Sequence, residues 1–249
     1  MLEQVAELRG LPIGEAPGIR VLPPMAFVAE RDAVTGAAAG GTWGDDVLVG
    51  LRVLAGLGLA SPEQLTMRGT TGAEVGSYDC EEDVIRVADL SYLPPPPEVL
   101  DAAGEAPPGW RDLSVSLHGL LAHESMHALA RRTFPLPCPA PRTWPDRDDQ
   151  LALRALEEGD AEAVLSAVVA SRAVPGAVDL DLWTAPLDDP TAAEPSVGFG
   201  YVMNFPYAAG AELVRALDRS GDNAARDEAY RRAPVSTEQV LHPERFFAG

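Results

Sequence analysis

Two histidines and a glutamate in one short apolar segment have the types and spacing needed to bind a metal ion and activate water. The segment reads His123-Glu124-Ser125-Met126-His127, so the histidines are four residues apart. Side chains at this spacing share one face of a helix, and both imidazoles can therefore reach one ion. Glu124 follows the first histidine, where a carboxylate can accept a proton from water bound to that ion. The pattern predicts a hydrolytic metal site.

The residues around this motif are apolar at helical spacing and predict a helix over about residues 112–132. Arg131 and Arg132 stand near its C-terminal end, where the helix dipole favours positive charge. A proline-rich stretch from Pro135 onward ends the helix. The motif is therefore expected in the second half of a helix that buries one face.

A catalytic zinc ion usually has three protein ligands and one open position, so the two histidines need a further partner. His118 lies on the same predicted helix but about 140° around it from His123, and we expect it to face elsewhere. A second predicted helix, over about residues 148–173, contains an acidic run at residues 157–162. A carboxylate from this run is the expected third ligand.

Gly159 narrows the choice within the acidic run. A glycine inside a helix costs about 1 kcal/mol relative to alanine, so we expect a packing reason, and a close approach to the helix with the histidines would supply one. Glu158, beside this glycine, is the predicted third ligand, and Glu157 is the alternative. Glu162 lies one turn further along the same face, where it could accept a hydrogen bond from the outer nitrogen of a ligand histidine.

The composition excludes several classes of partner and chemistry. Apolar residues make up 46% and charged residues 23% of the chain, which is typical of a globular protein. The formal net charge of −19 argues against nucleic acid as a partner, because phosphate binding needs a basic surface. The chain contains no lysine, so a lysine nucleophile is excluded. A peptide or protein substrate is compatible with these properties.

The sequence leaves two locations open. No apolar run is long enough to span a bilayer, and the first ten residues lack the basic flank and apolar core of a signal peptide. The chain as numbered is therefore expected in the cytoplasm, and the alternative is export after removal of a leader. Cys80 and Cys138 lack the spacing of a zinc or redox motif. Whether they pair stays open, as does the oligomeric state.

The predicted elements place a small sheet before a set of helices. In chain order they are a helix at residues 2–9, a strand at 19–22, a glycine-rich loop at 35–44, a helix at 45–57, a hairpin at 75–87, the helices at 112–132 and 148–173, a helix at 205–217 and a last short turn from 236. Pro206 suits the first position of the helix at 205–217, and Ser236 and Gln239 have capping-box spacing. We predict an α+β fold and a single domain over residues 1–249, with an α/β subdomain at about 1–105 and a helical subdomain at about 106–249 that carries the zinc site.

Three further segments share short motifs with a known family. They are Glu158-Gly159-x-Ala161, Phe205-Pro-Tyr-x-x-Gly210 and the C-terminal Ser236-Thr-Glu-Gln-x-Leu-His-Pro-Glu244. Together with the His-Glu-x-x-His helix, they resemble a bacterial family of gluzincin-type zinc metallopeptidases. The segment directly after His127 departs from that family, since it lacks a Gln-Asp-Gln run, and this leaves substrate contacts there open.

The resemblance implies a zincin-like fold, with a sheet whose edge strand lines the cleft, the motif helix beneath it and a helical lower half. The implied ligands of a Zn²⁺ ion are His123, His127 and Glu158. Glu124 is the implied general base, and Tyr207 and His242 are candidates to stabilise the oxyanion. The expected function is zinc-dependent peptide-bond hydrolysis, and the alternative is a metal- or peptide-binding regulatory module of the same fold without catalysis.

Overall fold

The computed structural model describes residues 1–23, 26–27, 29–30, 76–89, 114–138, 148–171 and 197–248, with the backbone alone at 114–117 and 197–204. Its elements are α1 (Leu2–Arg9), β1 (Gly18–Leu22), β2 (Gly76–Asp79), β3 (Val84–Ala88), α2 (Ser114–Thr133), α3 (Asp148–Ser171), α4 (Val197–Arg231), α5 (Thr237–Leu241) and α6 (Pro243–Ala248). A small sheet precedes a mostly helical second half, which confirms the predicted α+β class. The predicted loop at 35–44, helix at 45–57 and subdomain boundary near 105 lie outside the described residues. None of the described helices is both long and apolar enough to cross a membrane.

The described strands form one sheet in the order β1-β3-β2. β1 runs parallel to β3, with Gly18 opposite Val84, and β2 runs antiparallel to β3, with Gly76 opposite Val87. The mostly apolar β3 is buried along its whole length, as expected for a central strand. β2 is therefore an edge strand of the described sheet, and the predicted hairpin is confirmed.

Two links fasten the β2–β3 turn to the C-terminal end of α2. Cys80 in the turn forms a disulfide with Cys138, which follows α2. Arg132, in the last turn of α2, donates to both carboxylate oxygens of Asp83 at 2.6 Å. Asp83 has a positive φ of 54°, a conformation that aspartate adopts more readily than most residues. The two cysteines therefore pair, and they tie the hairpin to the helix with the histidines.

α3 lies between α2 and α4, and a glycine contact brings it close to α4. A Cβ on Gly159 would lie 2.2 Å from the carbonyl carbon of Gly210. The predicted approach of Gly159 to the histidine helix is therefore wrong. Successive helical residues point about 100° apart, so turning Glu158 toward α2 turns Gly159 toward α4. At the α2–α3 contact the glycine is Gly119, where an added Cβ would lie 3.2 Å from Val169 Cγ2.

The start of α4 differs from the prediction. The helix begins at Val197 rather than at residue 205, and Pro206 lies inside it. The prediction took the proline as a start signal, but Ser196 directly precedes Val197, and a serine before the first helical residue is itself a typical start signal. α4 is also interrupted further on, because Gly221 and Asp222 have non-helical backbone angles.

α5 begins after Ser236, where the capping-box spacing predicts, but its first turn is capped differently. The Ser236 side chain makes no capping hydrogen bond. The backbone N–H of Thr237 instead donates to the carboxylate of Asp148, the first residue of α3. The Gln239 side-chain oxygen accepts a hydrogen bond from the backbone N–H of Val235. The C-terminal turn is thereby fastened to the start of α3.

Buried charges fasten α1 to α3 and α4. The Arg9 side chain is 1% exposed and pairs at 2.9 Å with Asp160, which is fully buried. Arg9 also donates to Asn223 and Asp227, and Arg226 pairs with the same Asp160 carboxylate at 2.9 Å. A buried charge is tolerated only when it is paired and hydrogen-bonded. This network therefore fixes how the N-terminal helix packs on the helical half.

Candidate metal centre

α2 and α3 bring two imidazoles and one carboxylate to a single point. His123 and His127 stand one turn apart on α2, and Glu158 faces them from α3. The Nε2 atoms of the histidines are 3.1 Å apart. Glu158 Oε2 lies 3.2 Å from His123 Nε2 and 3.5 Å from His127 Nε2. In the described part of the chain, this is the one group of three whose ligand atoms lie close enough to share an ion.

The spacing of these three atoms fits a zinc ion. Nitrogen and oxygen ligands lie about 2.1 Å from zinc, so two ligands of a tetrahedral ion are about 3.4 Å apart. The observed separations of 3.1, 3.2 and 3.5 Å are close to that value. Three protein donors also leave one tetrahedral position open, as in catalytic zinc sites rather than closed structural ones. The donor set and its geometry therefore suit a hydrolytic metal ion.

The three side chains differ in exposure, and this gives the cluster an inner and an outer side. The His123 side chain is 3% exposed, that of Glu158 10% and that of His127 15%. Solvent therefore reaches the cluster mainly from the side of His127.

Neighbouring carboxylates create an electrostatic environment that stabilises positive charge at the cluster. Glu162 Oε1 lies 3.1 Å from His123 Nδ1, the ring nitrogen that faces away from the other two ligands. Burial alone would lower the pKa of His123, but hydrogen bonds with Glu158 and Glu162 and the charge of Glu124 raise it to about 10. Burial alone would raise the pKa of Glu158, whereas His127 and His123 hold it well below its usual range. The carboxylate stays ionised, and the imidazoles experience a field that stabilises a cation between them.

The two adjacent glutamates of α3 have different partners. Glu158 directs Oε2 to the histidines, while its Oε1 lies 3.6 Å from Arg154 Nε. Glu157 pairs with Arg131 of α2 at 2.9 Å. Burial raises the pKa of Glu157, and the charge of Arg131 acts in the opposite direction. Of the two ligand candidates that the sequence offers, the geometry therefore favours Glu158.

Glu124 lies between α2 and the edge strand of the sheet. Its side chain is buried, with 3% of the residue exposed. A Cβ on Gly76, the first residue of β2, would lie 2.6 Å from Glu124 Oε1 and 2.6 Å from Leu120 Cδ1. Glu124 directly follows His123 on α2, and its charge contributes to the raised pKa of that histidine. A potential proton acceptor thus lies next to a candidate ligand in the chain and against β2.

Tyr207 and His242, the two oxyanion candidates, occupy different surroundings. Tyr207 is half-buried in α4, one turn before Gly210, and Gly210 packs against Gly159 beside the ligand Glu158. His242 ends α5, is exposed, and has its Nδ1 3.5 Å from Glu244 Oε1. The packing of Gly210 on Gly159 thus places this turn of α4 against α3. A catalytic role stays a prediction for both residues.

Sequence reasoning missed the residues that connect the site to distant parts of the chain. Gly76 and Gly119 were not singled out, although a side chain at Gly76 would meet α2 and one at Gly119 would meet α3. The sequence did contain a pointer to Gly210, since this residue ends the Phe-Pro-Tyr-x-x-Gly motif. Arg131 was assigned to the helix dipole, yet it pairs with Glu157 and also donates to the backbone carbonyl of Pro137.

Comparison with known proteins provides no relative of this chain. No protein-family model, curated protein or solved structure matches it. The resemblance to gluzincin-type metallopeptidases therefore rests on the short motifs quoted above. The functional conclusion depends on the described geometry.

Proposed function

We propose that the protein is a zinc metallopeptidase that hydrolyses peptide bonds with a Zn²⁺ ion held by His123, His127 and Glu158. The observation that carries this proposal is the convergence of three ligand atoms, 3.1–3.5 Å apart, in a buried cluster beside Glu124. A structural zinc site would have a fourth protein ligand, and a base beside it would have no role. The donor set and the carboxylate together favour hydrolysis.

The chain's own residues can divide the chemistry between them. A zinc ion in the site would supply a Lewis acid and bring the pKa of water toward neutrality. Glu124 accepts a proton from the attacking water and later returns it to the leaving amine. Glu162 orients His123 by accepting from its outer ring nitrogen. A hydroxyl donor such as Tyr207 stabilises the oxyanion that forms on the substrate carbonyl.

The finer architecture is proposed to be zincin-like. In support, an edge strand lies over the helix with the two histidines, and the third ligand comes from the next helix. The four motifs of the family resemblance point the same way. A peptide or protein is the proposed substrate, and the acidic chain makes nucleic acid a poor partner.

Metal analysis of matched variants tests the ligand set. Purified parent protein should contain about one zinc per chain, and Glu158→Gln should contain little, because it replaces the only anionic ligand. Glu157→Gln is the matched control, since it makes the same change one residue away at a carboxylate that pairs with Arg131. Equal zinc content in the two variants would exclude Glu158 as the ligand.

A peptide-library digest tests the reaction. The zinc-loaded parent should cleave peptides, a chelator should stop it, and Glu124→Gln should keep zinc while losing cleavage, because the amide cannot accept the proton. Full activity in Glu124→Gln would contradict the proposed mechanism. A zinc-loaded parent that cleaves no peptide would favour the alternative, a metal- or peptide-binding module without catalysis.

A further inference from the structure

The β2–β3 hairpin is held against α2 by two links that do not involve the three proposed metal ligands. The Cys80–Cys138 disulfide and the Arg132–Asp83 ion pair both join the turn of the hairpin to the C-terminal end of the helix. β2 follows this helix back toward its middle. The first residue of β2, Gly76, therefore arrives beside Glu124 with little freedom to move away.

The contact at Gly76 leaves no room for a side chain. An added Cβ would lie 2.6 Å from both Glu124 Oε1 and Leu120 Cδ1, well inside the 3.5–4.0 Å at which carbon atoms attract each other. Both atoms are the ends of flexible side chains. A small side chain at this position would therefore displace the Glu124 carboxylate and the leucine rather than break the backbone.

We propose that the hairpin positions the general base and that Gly76 is the positioning residue through which it does so. The catalytic meaning of this proposal rests on the hydrolysis proposed above. The backbone of β2 lies against the Glu124 carboxylate, and the missing side chain of Gly76 leaves the space that this carboxylate occupies. Gly76 does not have a positive φ. A glycine is therefore required here because a side chain would not fit, and not because of its backbone angles.

The first test compares two glycines of the same sheet. In Gly76→Ala the added methyl group should displace the carboxylate, and kcat should fall by about 10²-fold, as expected for a catalytic group moved by about 1 Å. KM and zinc content should change little, since no ligand moves. Gly18→Ala is the matched control: Gly18 begins β1 as Gly76 begins β2, and its Cβ would meet Val84 at 3.2 Å. This control should keep the parental kcat and unfold at a similar temperature.

The second test asks whether space for the carboxylate is the cause. Glu124→Asp shortens the side chain by one methylene group and removes the clash of a Gly76 Cβ with the carboxylate, while the clash with Leu120 stays the same in both backgrounds. The Gly76→Ala change should therefore reduce kcat much less in the Glu124→Asp background than in the parent. An equal reduction in both backgrounds would overturn the proposal, and so would a parental kcat in Gly76→Ala.

A crystal structure separates this proposal from the proposed function. If the zinc-loaded parent cleaves no peptide, the proposed hydrolysis fails, but the position of the Glu124 carboxylate can still be compared between parent and Gly76→Ala. A displacement of about 1 Å or more, the scale on which catalytic geometry is lost, supports positioning by Gly76. An unchanged carboxylate position overturns it.

Discussion

His123 and Glu158 each have a charged neighbour outside the cluster, and this restricts how they present themselves to a metal ion. His123 directs Nε2 to the cluster and has Nδ1 3.1 Å from Glu162 Oε1. Glu158 directs Oε2 to the cluster and has Oε1 3.6 Å from Arg154 Nε. An outer carboxylate of this kind selects the ring tautomer and increases the basicity of the ligand nitrogen. The geometry of the site thus depends on residues that do not touch the ion.

Removing the charge of Glu162 should weaken zinc binding. Glu162→Gln leaves His123 with a neutral partner, and changes to such outer partners typically reduce metal affinity by about 10- to 100-fold. The Kd for zinc, measured by competition with a chromophoric chelator at constant pH, checks this. Glu212→Gln, an exposed change on α4, is the control. A parental zinc Kd in Glu162→Gln would contradict the assigned contact.

Part of the candidate site could be predicted because it is local in sequence. A four-residue spacing puts His123 and His127 on one helical face whatever surrounds them. Choosing Glu158 over Glu157 needed the packing of α3 on α2, to which Gly159 gave only an indirect signal. The contact between Gly76 and Glu124 joins two distant segments, and no local pattern in the sequence points to it.

At the scale of helices and strands, the sequence-based predictions were confirmed where a single sequence signal marked the element. The bounds of α1 and the start of α3 match the sequence pattern, and the hairpin has its turn where charged residues interrupt two β-type runs. The start of α4 was missed because two start signals compete there, and Pro206 is the weaker one. The pairing of the cysteines was left open because a disulfide depends on the distance between two folded elements.

The hairpin should make an acid-sensitive contribution to stability through Asp83. Burial alone would raise the pKa of Asp83, but hydrogen bonds from Arg132 and Tyr78 lower it. A carboxylate with a lowered pKa stabilises the fold above its unfolded pKa of about 3.9 and loses this effect as pH falls through the folded value. Asp83→Asn should therefore be less stable than the parent at pH 7, by about 1 kcal/mol or less for a half-exposed pair. The difference should shrink below about pH 4.

Urea unfolding at pH 7 and pH 3 measures this difference. Asparagine tolerates positive φ nearly as well as aspartate, so the backbone at position 83 is preserved. Arg132→Gln provides the partner variant, and the double variant should lose less than the sum of the two singles because both remove the same ion pair. A stability difference that is independent of pH would show that the Asp83 charge is not responsible.

At the scale of the whole molecule, the Cys80–Cys138 disulfide makes the described fold sensitive to reduction. Disulfides persist in oxidising compartments and are rare in the cytosol. This disulfide joins the turn of the hairpin to the segment that follows α2. Reducing conditions would therefore open that link.

Removing the disulfide should destabilise the whole fold. The two cysteines are 58 residues apart, and closing a loop of that length restricts the unfolded chain by an amount worth about 4 kcal/mol. The double variant Cys80→Ser/Cys138→Ser should lose up to this free energy of unfolding, measured with urea. Reduced parent protein should match the double variant. Equal stability of oxidised and reduced parent would contradict the prediction.

The buried pair of Arg9 and Asp160 also constrains the order in which the chain can fold. Its two residues are 151 positions apart, so α1 leaves the ribosome long before its partner exists. Until α3 is synthesised, Arg9 has no buried carboxylate to meet, and its charge keeps it in water. Contacts this distant in sequence close late and slow folding. The N-terminal helix therefore cannot dock through this pair until α3, which carries both Asp160 and Glu158, has been synthesised.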